Sequence, residues 1–111
     1  MACGGVDSHF GDHIANLGLD LKGLFDIIKT VSRVAREVCE GRFVLICSSG
    51  YDLQVLPWDW LALISGVLDL EDPEFSEPYR IPEEPLGIEE KVERVVAEVK
   101  VTYGNYWKSL R

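Results

Sequence analysis

The run Phe43-Val44-Leu45-Ile46-Cys47 constrains the fold of this chain more than any other feature. It is unbroken, rich in β-branched residues and too short for a helix, the pattern of a strand buried on both faces of a parallel sheet. A parallel strand needs a crossover before it, and the preceding residues provide one. Leu21, Leu24, Phe25, Ile28, Val31, Ala35, Val38 and Cys39 recur at steps of three and four, with Asp20 placed to cap the start and Glu40-Gly41 to end the helix. Ala2 to Val6 read as the last positions of an earlier strand. Such a β-α-β crossover is right-handed, so both strands end on one edge of the sheet. Ligands of open α/β sheets bind beyond that edge. The two polar loops there are Gly5-Val6-Asp7-Ser8-His9 and Ser48-Ser49-Gly50-Tyr51-Asp52. Neighbouring strands lie about 4.8 Å apart, so side chains from the two loops are within reach of a common ligand.

A second helix is expected from about Val55, with Pro57 in its first turn and Leu61, Ile64, Val67 and Leu68 on one face. Prolines and acidic residues then cluster between Glu71 and Pro85, which predicts an extended segment. From Ile88 the set Ile88, Val92, Val95, Val96 and Val99 returns to helical spacing, with charged residues on the other face. The expected organisation is a β-α-β-α segment over 1–69, an acidic proline-rich linker over 70–87 and a C-terminal helix within 88–111. Trp58, Trp60 and Trp107 read as core or interface aromatics.

Composition narrows the classes of function. A chain of 111 residues that is 47% hydrophobic suits one compact domain. Nineteen acidic against eleven basic residues give a net charge of -8, the wrong sign for neutralising phosphates or lying on anionic lipid. Neither nucleic acid nor a membrane is an expected partner. Cys3, Cys39 and Cys47 are odd in number and widely spaced, without a Cys-x-x-Cys pair, so neither a disulfide framework nor a thiolate zinc site is suggested. No apolar stretch approaches the ~20 residues of a membrane span, and the first residues lack the pattern of a secretory signal. A cytoplasmic setting is expected.

The motifs carry a more specific reading. Gly5-x-Asp7-x-x-x-Gly11-Asp12, Leu17-x-Leu19, a helix opening near Lys22-Gly23, and Gly41-Arg42-x-Val44-x-x-x-x-Ser49-Gly50-Tyr51-Asp52 stand in the order and spacing of the last third of the histone deacetylase and acetoin-utilisation deacetylase family. The chain resembles the C-terminal part of that family over about 65 residues, and residues 70–111 match it only loosely. The resemblance implies an α/β fold: a partial three-layer α/β/α arrangement with a short parallel sheet, the C-terminal portion of an arginase–deacetylase fold.

In that family two aspartates and a histidine hold zinc and leave a position open for water and the acyl carbonyl. A tyrosine hydroxyl donates a hydrogen bond to the oxyanion as an acetylated amine is hydrolysed. The resemblance assigns Asp7 to one of the metal-binding aspartates and Tyr51 to the tyrosine. His9 falls on a position that is not a ligand, and as a loop histidine it is expected to serve as a hydrogen-bonding residue. The other zinc ligands and the histidine pair that moves protons have no counterpart here, so the chain reads as one that begins late in the fold. Zinc is therefore expected only where a partner completes the site. The expected partner is a separate chain carrying the N-terminal deacetylase part. The alternative is a non-catalytic remnant that self-associates or binds another protein. Ser49 stands where the family usually has glycine, and strain or a narrowed channel is expected there if that position needs a positive φ.

Overall fold

A computed structural model of the chain describes residues 1–15, 17–71 and 73–110. Strand β1 (Ala2–Gly5) and strand β2 (Leu45–Ser48) pair in parallel, Ala2 beside Leu45 and Gly5 beside Ser48. Helix α1 (Leu21–Cys39) connects them, α2 (Leu56–Val67) follows β2, and α3 (Ile88–Tyr103) precedes a short 3₁₀ turn at Lys108–Leu110. The fold is α/β with a short two-stranded parallel sheet, as expected for part of an arginase–deacetylase-like architecture. No helix among the described residues is long and apolar enough to cross a membrane. The chain divides into two compact units, the first covering Met1–Ile81 and the second beginning at Pro82.

The caps of α1 follow the sequence. The Asp20 carboxylate accepts the Gly23 N–H at 2.7 Å, satisfying one of the donors that a helix start leaves orphaned. At the other end Glu40 (φ 56°) and Gly41 (φ 74°) both turn left-handed and stop the helix. Leu21, Leu24, Phe25 and Ile28 of α1 join Val6, Ala62 and Leu63 in the core, with Leu45 and Phe43 packed against them. Val31 and Val38 share the helical period but stay outside, Val38 at 75% exposure.

Packing departs from the hydropathy pattern in two places. Helix α2 does not bury Leu61, Ile64 and Leu68, and of the four apolar residues on that face only Val67 packs against the core; it turns Asp59, Ala62, Leu63, Ser65 and Gly66 inward. Gly66 explains the choice. A Cβ there would stand 2.7 Å from the Phe25 carbonyl oxygen and 3.1 Å from the Lys29 nitrogen, so α2 approaches α1 backbone to backbone through its small residues. Arg33 and Arg36 then clasp Asp69 just past the end of α2, at 2.9 and 2.7 Å. Nor is the β2 segment covered on both sides. Gly4 and Leu45 face the helices, where Leu63 closes over Gly4, whereas Ile46 is 47% exposed on the opposite face beside Cys3 and Ser48. The reason is that the described strands and helices share a single core on one side of the sheet.

Residues 73–81 have no regular structure, yet they belong to the first unit. Phe75 meets Phe25 at 5.6 Å between ring centroids, and Glu77 and Tyr79 reach into the loops at the end of the sheet. The second unit is described by α3 and its C-terminal turn, where Tyr103 stacks on Trp107 at 5.4 Å. Trp58, Trp60 and Trp107 are all partly exposed, at 44%, 38% and 58%, so none is a core residue.

Candidate site at the carboxyl edge of the sheet

Both polar loops leave the sheet at the same edge, as the parallel register requires. The pairing continues one step past the strands, where the Val6 N–H donates to the Ser49 carbonyl at 3.5 Å. Asp7 follows on one side and Gly50-Tyr51 on the other. The Asp7 carboxylate is half-buried and makes no hydrogen bond or ion pair with the described residues. The Tyr51 hydroxyl is likewise uncommitted, on a side chain 52% exposed. The structure thus brings the two loops together and leaves the Asp7 carboxylate and the Tyr51 hydroxyl without partners among the described residues.

The Tyr51 loop is held by its backbone. Asp12, 3% exposed, accepts the Tyr51 N–H on Oδ2 at 2.7 Å and the N–H groups of Ile14 and Ala15 on Oδ1 at 3.0 and 3.3 Å. Burial opposes ionisation of this carboxyl, but the three backbone donors outweigh it and hold its pKa below the ordinary value. Ser49 takes φ 43° and Gly50 φ 126°. At Gly50 a Cβ would stand 2.6 Å from both Leu56 Cδ1 and Val6 Cγ2, so no larger residue fits. Ser49 thus adopts the left-handed conformation on which the expectation of strain was conditioned, and its hydroxyl packs close to Gly5. A Cβ on Gly5 would lie 2.5 Å from Ser49 Oγ and 3.3 Å from Asp7 Oδ1, so hydroxyl and carboxylate flank the same small space.

Behind the loops lies a buried polar cluster that the sequence did not announce. His9 is fully buried; its Nδ1 accepts the Gly11 N–H at 3.0 Å, which leaves the proton on Nε2 to be donated to Glu77 Oε2 at 3.0 Å. The other oxygen of Glu77 accepts the Leu21 N–H at 2.7 Å, at the positive end of α1. Asp59 lies beside this pair, its Oδ1 buried without a hydrogen-bond partner and 3.9 Å from His9 Nε2. Burial, with the negative charges of Glu77, Asp12 and Asp52 added, pushes its carboxyl up to about 7. Asp52 is a different case. The N–H of Gln54 and the Tyr79 hydroxyl both donate to it and hold its pKa low despite partial desolvation, while the same bond raises the Tyr79 phenol.

Nothing in the sequence period ties Glu77 or Tyr79 to the loops, since the contacts span 68 and 27 residues. The one legible hint is Glu77-Pro78-Tyr79 inside the proline-rich stretch, a tyrosine beside a carboxylate in a segment otherwise suited to solvent.

A zinc site of three protein ligands cannot be built from these residues alone. Among the described residues no group of three or more histidine, cysteine, aspartate or glutamate side chains is arranged to hold a metal. Asp7 offers one carboxylate, and of the buried acids Glu77 and Asp12 turn their oxygens toward backbone donors and His9.

Comparison with known proteins agrees with this architecture. The family described as the histone deacetylase domain matches residues 1–67. A probable deacetylase of Archaeoglobus fulgidus is 26% identical over 96% of this chain and 32% of its own length. Histone deacetylase 14, chloroplastic, of Arabidopsis thaliana is 31% identical over 78% of this chain and 21% of its own length. Type-2 histone deacetylase 1 of Dictyostelium discoideum is 35% identical over 60% of this chain and 4% of its own length. The chain therefore spans about a third or less of the relatives it matches. No solved structure matches it. The order of elements, the loops at the sheet edge and the match over residues 1–67 together show that the chain belongs to the histone deacetylase domain family.

Proposed function

We propose that this chain supplies one corner of a histone deacetylase-like amidohydrolase site, which removes acetyl groups from acylated amines, and that a separate polypeptide supplies the rest. Asp7 serves as a metal-binding carboxylate and Tyr51 as the hydroxyl that donates a hydrogen bond to the oxyanion formed at the acyl carbon. The observation that carries this reading is the parallel register of β1 and β2, extended by the Val6–Ser49 bond, which delivers two uncommitted functional groups to one sheet edge. Zinc belongs to the completed site, because no three donors among the described residues are grouped to hold it.

The bare face of the sheet supports a partner. A parallel sheet is ordinarily covered on both sides, and Val44 and Ile46 remain exposed on the face away from the helices. The three free cysteines fit a reducing cytoplasm.

Co-expression with the polypeptide encoded immediately upstream tests the reading. The expected result is a stable complex that hydrolyses an acetyl-lysine substrate and loses most of that activity on Tyr51→Phe, since removing one oxyanion donor costs about a hundredfold or more. A complex whose activity is indifferent to Tyr51 overturns the proposal.

A further inference from the structure

Helix α3 runs for 16 residues without burying one of them. Four of its apolar residues nevertheless form a line, Ile88, Val92, Val95 and Val99, with Val96 beside it and Val92, Val95 and Val99 at 53%, 48% and 42% exposure. Valine loses rotamer freedom in a helix, and an isolated helix of this length is marginal in water, so the stripe needs a cover to persist. The spacing of four, three and four residues is that of the d and a positions of a two-helix coil. Ile88, Lys91, Val92, Val95 and Val96 also line a shallow concavity of about 220 Å³, room for a knob from a facing helix.

The charges beside the seam identify the occupant. The residues that precede each a position are Lys91 and Glu98. When two copies of α3 pair antiparallel, Val92 meets Val95 of the other copy, Ile88 meets Val99, and Lys91 of each falls beside Glu98 of the other. Two-fold symmetry makes that ion pair twice. A parallel pair would instead set Lys91 against Val96 and Glu98 against Tyr103, with no ion pair to gain. Antiparallel packing also brings the acidic first turn, Glu89 and Glu90, toward the end that carries Lys100.

We infer that the chain forms a homodimer through its last helix, in which α3 pairs antiparallel with α3 of a second copy along Ile88, Val92, Val95 and Val99 and is registered by reciprocal Lys91–Glu98 ion pairs. None of the seam residues belongs to the sheet-edge loops, so the inference stands or falls independently of the deacetylase proposal.

Analytical ultracentrifugation of the full chain over a wide concentration range tests it, with circular dichroism to show that each variant keeps its helices. The wild type is expected to rise from monomer to twice the monomer mass with concentration. Lys91→Glu and Glu98→Lys each replace two attractive pairs by two repulsive ones and are expected to weaken association about tenfold, from the usual worth of exposed pairs. The double variant Lys91→Glu/Glu98→Lys restores the pairs with reversed sign and should return to near wild-type association. A chain that stays monomeric at every concentration overturns the inference. So does a dimer that neither single change weakens, or a double variant no better than the singles.

Discussion

The backbone N–H of Tyr51 donates to the buried carboxylate of Asp12 at 2.7 Å, so the loop that carries the tyrosine is pinned through its main chain while its hydroxyl stays free. Asp12 also accepts from Ile14 and Ala15, and one side chain thereby fixes the loop after β1 and the loop after β2 together. Asp12→Ala strands three backbone donors in a region with little access to water. Urea unfolding of the first unit is expected to show a loss of about 2–4 kcal/mol, with Asp12→Asn intermediate. A loss below about 0.5 kcal/mol would show that the loops are held by something else.

The buried acids give the first unit a pH dependence with opposing slopes. Unfolded Asp59 ionises near 3.8, whereas in the fold it keeps its proton to about 7, so stability falls as pH rises through that window and the cost is complete above it. Asp12 behaves oppositely. Its pKa is depressed in the fold, so its contribution is present above the ordinary carboxylate value and is lost as pH falls through the lowered one. Asp59→Asn is expected to gain on the order of 2 kcal/mol at pH 8 and to flatten the decline between pH 5 and 8. Chemical denaturation across pH reads both effects; an unchanged slope in Asp59→Asn would contradict the assignment.

Glu77 fastens the 73–81 segment to the fold, one oxygen on the Leu21 N–H and the other on His9 Nε2. Glu77→Ala leaves a buried imidazole N–H and the first turn of α1 without acceptors, an expected cost of about 2–4 kcal/mol. The change should also expose 73–81 to limited proteolysis. It removes a negative neighbour of Asp59 as well, so the stability at high pH should fall less than at pH 5. Equal losses at the two pH values would separate Glu77 from the Asp59 cluster.

Ser49 and Gly50 are adjacent residues with positive φ and opposite tolerance. Ser49→Gly removes a side chain from a left-handed position and should be neutral or stabilising by up to about 1 kcal/mol. Gly50→Ala forces a methyl to 2.6 Å from Leu56 and Val6 and should destabilise by more than about 2 kcal/mol. Thermal unfolding of the two variants distinguishes them, and a similar fall in both would contradict the local geometry.

What was legible in the sequence was local. The β-α-β order follows from the period of Leu21 to Cys39 and the apolar run at Phe43 to Cys47, and the caps at Asp20 and Glu40-Gly41 are short-range signals that tertiary packing does not need to supply. The face of α2 was not legible. Hydropathy favours Leu61, Ile64 and Leu68, but helix–helix approach is set by what lets two backbones meet, and that is Gly66 with Ala62. The polar cluster was hidden for another reason: His9, Asp59 and Glu77 come from a loop, a helix and an irregular segment, and no period relates them. Asp7 and Tyr51 stood out because the resemblance singles them out, and strand order put both loops at the sheet edge where ligands of such folds bind.

Metal content is the most direct test of the central claim, that this chain contributes Asp7 to a site completed elsewhere. Zinc should be measured in the dialysed chain alone and in its complex with the polypeptide encoded upstream. The account predicts essentially none in the isolated chain, one zinc in the complex, loss of that zinc on Asp7→Ala and its retention on Tyr51→Phe. Stoichiometric zinc in the isolated chain, or a complex that keeps its zinc without Asp7, would contradict it.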